Sequence, residues 1–282
     1  MIAICDSGAS KGDWAFISTD GEVQYLEVSG FNPYTHDHGS YYTELIKKTP
    51  HHINQQVNQV TYYGTGCGEQ SKKNEVKGLL SRVFTHASIQ VETDLLAAAR
   101  ATCGTSKGIA VITGTGSNSG LYDGQLFIDS VPNLGYLLGD EGSGNYFGKL
   151  IIRAYFFRDM PSDLIVPFET FVGGRHELLL QKLYDKTRAV NTYLASFMPF
   201  ASLHIEHPFI QKLMKKNFQD LVDANLSKYL DYHTTPIHFV GSVAYHFKTF
   251  LQACLEENRL ICGNILARPM DNLVNYHQQP WS

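Results

Sequence analysis

Cysteine is scarce in this 282-residue sequence and badly spaced for pairing or metal binding. Cys5, Cys67, Cys103, Cys254 and Cys262 are odd in number, and no two form a Cys-x-x-Cys pair. That argues against a disulfide framework, a zinc finger or a typical iron–sulfur site. No apolar run approaches the roughly 18–20 residues that a membrane helix needs. Only Met1 to Cys5 precede Asp6, too little for a signal peptide. Basic charge is not in excess either: 23 Lys and Arg stand against 27 Asp and Glu, a formal net charge of −4. The pI is about 6.3, whereas a nucleic-acid footprint wants a basic stripe. His36, His38 and His51-His52 lie in polar stretches without Cys or carboxylate partners at ligand spacing, so solvated loop histidines are expected. The expectation is a reduced, cytoplasmic protein with neither nucleic acid nor membrane as partner.

What is present suits a folded chain. The sequence is 43% hydrophobic and 12% aromatic, with a mean hydropathy of −0.18, enough apolar material to bury a core and too much for disorder. Its length fits two domains.

The first stretch alternates strands and helices. Met1–Cys5 is a short apolar run that breaks at the turn-rich Asp6-Ser7-Gly8-Ala9-Ser10-Lys11-Gly12. Trp14–Ser18 and Val23–Val28 flank Asp20-Gly21, a strong hairpin signal. A helix is predicted over Ser40–Lys48, a strand over Val60–Gly64, and a helix over Lys72–Phe84, where Val76, Leu79, Leu80 and Val83 share a face. A strand over Ser88–Glu92 and a Leu- and Ala-rich helix over Leu95–Thr102 follow.

The pattern then restarts. Gly108–Thr113 is an apolar strand entering Gly114-Thr115-Gly116-Ser117-Asn118, and Ser119–Tyr122 with Gln125–Val131 make a second hairpin around Asp123-Gly124. Gly139-Asp140-Glu141-Gly142-Ser143-Gly144 precedes a helix from Tyr146 to Phe157, and Pro161 to Tyr232 read as mostly helical. A strand over Ile237–Val240, a helix over Val243–Glu257, a strand over Arg259–Ile265 and a helix opened by Pro269 complete the chain. Two hairpin-then-alternating units imply a duplicated α/β architecture with a cleft between lobes, and pockets favour such interfaces.

Spacing excludes three common nucleotide motifs. Gly114, Gly116 and Gly120 give Gly-x-Gly-x-x-x-Gly, one residue too long for a Rossmann fingerprint, and a strand follows where a helix should. No window fits a Walker A loop, and the protein-kinase set is missing. Two glycine- and hydroxyl-rich hairpin turns remain, Asp6 to Lys11 and Thr113 to Asn118. Each is either an ordinary β-turn or a phosphate cradle, in which glycine permits close approach and amides and hydroxyls donate. Lys11 adds positive charge, and Asp6 suits a hard cation.

The order Asp6-Ser7-Gly8-Ala9-Ser10-Lys11, Thr93-Asp94, Gly114-Thr115-Gly116-Ser117-Asn118, Gly139-Asp140-Glu141-Gly142-Ser143 and Val240-Gly241-Ser242-Val243 resembles the N-acetylglucosamine kinase-like BadF/BadG/BcrA/BcrD-type ATPase family. That family belongs to the actin, hexokinase and heat-shock-chaperone superfamily, and the resemblance spans nearly the whole chain. It implies a two-lobed, duplicated ribonuclease H-like α/β fold with a nucleotide cleft between lobes. Residues 1–104, joined by a C-terminal helix 269–282, would form the first lobe. Residues 105–268 would form the second, with a helical insertion over 142–232.

The resemblance also assigns roles. Asp6 would organise Mg²⁺, and Gly8, Ser10 and Lys11 would attend the phosphates of ATP; many relatives carry Thr where Ser10 stands. Gly114, Thr115 and Gly116 would form a second phosphate turn, and Gly241 with Ser242 would start the adenosine segment, a position equally compatible with a plain strand–turn–helix junction. Asp94 would be the general base, a role compatible with a helix N-cap. Glu92, two residues earlier, has no motif to recommend it. Asn32, Asn118, Asn133, Leu134, Gly135 and Asp140 fall near sugar-contacting positions, where amides and carboxylates suit paired hydroxyls. Asn32 also reads as a turn residue before Pro33, and Asp140-Glu141 as a helix-start acidic pair. Where relatives that bind N-acetylglucosamine place Trp, this chain has Leu134, which leaves the sugar open. The implied activity is an ATP-dependent carbohydrate kinase for N-acetylglucosamine or a related amino sugar or hexose; the alternatives are a BadF-type activator ATPase, a sugar-sensing regulator or an idle nucleotide-binding fold. Superfamily members are often dimers, so a homodimer is the expectation by analogy.

Overall fold

The computed structural model describes residues 1–174, 176–185 and 189–279. The chain divides into two compact units, one of Met1–Thr105 with the segment from Arg268 onward, the other Ser106–Ala267.

The first unit opens with β1 (Ile2–Ser7), β2 (Lys11–Ile17) and β3 (Val23–Ser29), then α1 (His38–Lys48), α2 (His51–Gln56), β4 (Gln59–Gly64), α3 (Gln70–Ser81), β5 (Ser88–Thr93) and α4 (Asp94–Cys103). Its sheet runs β3-β2-β1-β4-β5, antiparallel through the hairpins and parallel from β1 to β4 to β5. Helix α1 starts two residues before the predicted Ser40 because the Asp37 carboxylate accepts from the Ser40 amide at 2.6 Å, a side-chain N-cap. The six-residue α2 had no sequence signal, since His51-His52-Ile53-Asn54-Gln55-Gln56 holds one apolar residue.

Strand alternation sorts this sheet into two faces. Register puts Cys5 opposite Trp14 and Tyr62, and Tyr62 opposite Val91. These residues join Phe16, Phe84, Leu45 and Leu80 in one buried cluster, with Trp14 stacked on Phe16 at 5.9 Å. The other face aligns Asp6 with Asp13 and Tyr63, and Tyr63 with Glu92. That polar row is where the chemistry gathers.

The second unit contains β6 (Gly108–Thr113), β7 (Ser117–Tyr122), β8 (Phe127–Asp129), α5 (Gly135–Leu138), α6 (Gly144–Phe156), α7 (Ser162–Val172), α8 (His176–Leu183), α9 (Val190–Ala195), α10 (Met198–Leu203), α11 (Pro208–Ala224), a 3₁₀ turn (Leu226–Lys228), β9 (Ile237–Val240), α12 (Ser242–His246), α13 (Lys248–Glu257) and β10 (Cys262–Leu266). Its sheet order, β8-β7-β6-β9-β10, repeats the hairpin-then-parallel arrangement of the first. The duplicated α/β architecture expected from the two hairpin signals is the one present. Parts of the expected insertion, residues 175 and 186–188, lie outside the described residues.

Two further differences from the predicted elements have a visible cause. The single helix over Val243–Glu257 is broken at buried Phe247, whose φ of −109° lies outside helical values. The last strand begins at Cys262, not Arg259, because Arg259 adopts φ 58° and closes the end of α13 by donating its amide to Glu256. Helix α14 (Met270–Gln278) then packs on α4 in the first unit. Residues 280–282 of the expected helix 269–282 lie outside the described residues. Among the described residues no helix is long and apolar enough to cross a membrane.

Polar contacts hold α14 down. Tyr63 Oη accepts from Arg100 Nη1 at 2.7 Å and meets His277 Nε2 at 2.8 Å. Burial, reinforced by the Arg100 charge, pushes the His277 imidazole from 6.5 down to about 4. Between those values the unfolded chain takes up a proton that the folded chain refuses, so this group's contribution falls as pH drops. The denaturant midpoint of the wild type should therefore decline from pH 6.5 towards 4 relative to His277→Gln. A difference profile that stays flat across that range would remove the imidazole from the account.

Candidate active site

In each unit the parallel strands end at the same edge, and their loops collect there. Ser7 aligns with Gly64, and Gly64 with Thr93, so Asp6, Thr65 and Asp94 are brought to one place by sheet register. Loops beyond the carboxyl ends of parallel strands are the usual ligand-binding edge of α/β sheets. Asp94 is the first residue of α4, capped by Thr93 Oγ1, which accepts from the Leu96 amide at 3.2 Å. Its own Oδ1 accepts from the Leu95 amide at 2.9 Å. Burial raises the Asp94 pKa, and the Leu95 amide and Thr65 hydroxyl only partly offset it. Such a carboxylate is a better proton acceptor than a solvated one.

Asp6 is pushed further, from 3.8 to about 7, by burial first and then by repulsion from Asp94 and Asp13. The resemblance implies Mg²⁺ with ATP, and this donor set fits it: mutually repelling carboxylate oxygens are what a hard cation relieves. Among the described residues no group of three or more His, Cys, Asp or Glu forms a ready-made cage. A cation there would therefore draw further ligands from phosphate oxygens and water.

The first glycine turn joins β1 to β2 and is closed by the Gly8 amide, which donates to the Lys11 carbonyl at 2.9 Å. Ser10 is exposed at its tip. Gly30, at the end of β3, packs directly beneath: a Cβ there would fall 2.5 Å from Ala9 C and Lys11 N. Lys11 turns back along its own sheet, with Nζ 2.9 Å from Asp13 and 2.5 Å from Glu27. Burial works against its charge, but those two carboxylates outweigh it and hold the ammonium pKa up. Glu92 is taken by Lys73 at 2.6 Å. Asn32 accepts from the Tyr34 amide at 3.0 Å, the turn geometry its Pro33 neighbour suggests, with its Oδ1 close to Gly66.

In the second unit the turn between β6 and β7 is closed by the Gly114 amide on the Gly116 carbonyl at 2.9 Å, with Thr115 exposed. Gly116 lies against Asp140, whose carboxylate accepts from the Ser117 amide at 3.1 Å and from Asn145 Nδ2 at 2.6 Å. Asn133 donates to the Ser117 carbonyl and accepts from the Gly135 amide at 2.6 Å. Asn118 accepts from the Ser119 amide at 2.9 Å, and Leu134 is 60% exposed. Asn118, Asn133, Gly135 and Asp140 thus gather around the first residues of β7 and the second glycine turn. Gly241 joins the same edge from β9. Its φ is +127°, its amide donates to Leu266, and a Cβ would lie 2.7 Å from Thr113 C. Ser242 lies beside it at the start of α12, and the Ala244 amide donates to Thr113 Oγ1 at 3.0 Å.

Sequence reasoning singled out none of Asp13, Thr65 and Asn145. Asp13 was the findable one, a charged residue alternating with Trp14 and Phe16 on the face that carries Asp6.

The chain is similar to the solved structure of a candidate N-acetylglucosamine kinase from Porphyromonas gingivalis, with 36% identity over 98% of each chain and a TM-score of 0.90. A candidate N-acetylglucosamine kinase from Chromobacterium violaceum aligns over 98% of each chain with 16% identity and a TM-score of 0.73. Component A of the (R)-2-hydroxyglutaryl-CoA dehydratase of Acidaminococcus fermentans aligns over 98% of this chain and 95% of its own, with 11% identity and a TM-score of 0.51. The last two establish the shared fold alone. No protein-family model matches the sequence, and no curated protein does. Identity of 36% sustained along nearly the full length of both chains means that this chain belongs to the N-acetylglucosamine kinase-like family of sugar kinases, within the actin/hexokinase-like ATPases.

Proposed function

We propose that the protein is an ATP-dependent carbohydrate kinase that phosphorylates a hydroxyl of N-acetylglucosamine or of a related amino sugar or hexose. The observation that carries this reading is Asp94, a carboxylate of raised pKa held at the loop edge of a parallel sheet beside Asp6. In the proposed step Asp94 accepts the proton of the sugar hydroxyl. The hydroxyl oxygen bonds to the γ-phosphorus, the bond from that phosphorus to the β–γ bridging oxygen breaks, and ADP leaves. Phosphoryl transfer asks a protein mainly for alignment and charge neutralisation. When bound, Mg²⁺ supplies part of that neutralisation, with Asp6 as its protein ligand.

Gly8, Ser10 and Lys11 are assigned to the phosphates, as are Gly114, Thr115 and Gly116; Gly241 and Ser242 are assigned to the adenosine end. For Lys11 this requires trading an Asp13 or Glu27 carboxylate for phosphate oxygen. Asn32, Asn118, Asn133, Leu134 and Gly135 are assigned to the sugar. Asp140, with an acceptor site already committed to Ser117 and another to Asn145, serves the sugar with its remaining lone pairs.

A panel of sugars with Mg-ATP, followed by ADP release, tests the reading. At least one amino sugar or hexose should accelerate ADP formation well above the sugar-free rate and should acquire phosphate. Equal ADP release with and without every sugar would overturn the kinase and favour the activator ATPase.

A further inference from the structure

Helix α5 is a single turn that cannot hold its own shape. A four-residue helix leaves its end carbonyls without intrahelical partners and is far below the length at which helices persist alone. Apolar packing gives it one anchor, Tyr136 against the core of the unit, since Leu134, Leu137 and Leu138 are 60%, 74% and 77% exposed. Yet the segments flanking this turn carry Asn133 and Asp140, both bonded to Ser117 at the second phosphate turn.

The grip comes from α6. At its start, the Gly144 amide donates to the Gly114 carbonyl at 2.9 Å and the Asn145 amide to Thr115 at 3.0 Å, while Asn145 Nδ2 holds Asp140. One turn further on, half-buried Lys149 donates from Nζ to the carbonyls of Tyr136 at 2.8 Å and Gly139 at 2.9 Å, with Tyr146 beneath the ammonium at 4.7 Å. One helix therefore carries both the phosphate turn and the 133–140 segment. We propose that Lys149 is a positioning residue for the sugar: its ammonium locks the Tyr136–Gly139 turn, keeps Asn133 and Asp140 in register with the phosphate turn, and so sets sugar affinity without touching sugar. This rests on the kinase reading above. A hydrogen bond from a charged donor to a partly buried carbonyl is among the stronger kinds, and two of them act on one short turn.

The test compares Lys149→Met, which keeps the stem and removes the donor, with Lys149→Arg, which keeps a cation. Lys149→Met should raise the sugar KM about ten- to hundredfold. Its kcat should change far less and its KM for ATP hardly at all, and Lys149→Arg should recover part of the loss. Hydrogen exchange at the Gly135 and Gly139 amides should quicken in Lys149→Met while the rest of the unit is unchanged. Unchanged exchange there, or faster exchange with an unchanged sugar KM, would overturn the proposal; so would exchange rising throughout the unit, which would mark Lys149 as general scaffolding. If the wild type phosphorylates no sugar, the kinase reading fails separately, and the exchange data still decide whether Lys149 locks the turn.

Discussion

Asp94→Asn should lower kcat by about 10²–10⁴-fold while ADP binds with nearly wild-type affinity. The amide keeps the size of the carboxylate, and its oxygen can still accept from the Leu95 amide, so α4 should begin where it does now. What disappears is the capacity to take a proton. Removing the charge also relieves Asp6, whose elevated pKa owes part of its shift to Asp94, so metal-free protein should lose slightly less stability as pH rises from 3.8 to about 7. Steady-state turnover with the best sugar of the panel, alongside calorimetry with ADP, separates the two effects. Near-full turnover in Asp94→Asn would remove Asp94 from catalysis. Equal losses of turnover and ADP affinity would instead assign it to the nucleotide.

The second large effect should follow from one methyl group. Gly241→Ala places a Cβ against the Thr113 backbone, 2.7 Å from its carbonyl carbon, at a residue whose φ is +127°. Backbone strain of that kind costs about 1–3 kcal/mol, and forcing atoms into a packed site a similar amount. The clash is with backbone at the end of β6, so relief means moving the strand end that launches Gly114, Thr115 and Gly116. Stability should drop by about 2–5 kcal/mol in denaturant unfolding, and ADP affinity should fall by more than about tenfold. Gly78 is the control. It lies within α3, and an added methyl group there would meet nothing within 4 Å, so alanine at this position should stabilise by up to about 1 kcal/mol. Wild-type stability and ADP binding in Gly241→Ala would show that the two strand ends do not need their close approach.

Much of this architecture was legible because local rules repeat along the chain. Asp20-Gly21 and Asp123-Gly124 announced the hairpins, and the apolar runs Val60–Gly64 and Gly108–Thr113 announced central strands. The elements that escaped were short or had ends set by non-local contacts. Helix α5 depends on Lys149, ten to thirteen residues away along the chain. The break at Phe247 sits within a sequence that reads as one continuous helix. A place in a glycine turn suggests Lys11 as a phosphate ligand, but a turn motif says nothing of where a long side chain goes. Asp13 and Glu27 decide that, across two strands.

By itself the amino-acid order determined the duplication, the central strands, the longer helices of the first unit and the glycine turns, because each depends on neighbours a few residues apart. Only the tertiary structure decided which carboxylates face one another. Asp94 is remote in sequence from Asp6, and only the folded structure brings its charge, like that of Asp13, to bear on the buried Asp6 carboxyl. Likewise, the sharing of α6 between the second glycine turn and the 133–140 segment is a matter of packing. Electrostatic energy depends on distance through space and on exclusion of water, and neither is written in the spacing of a motif.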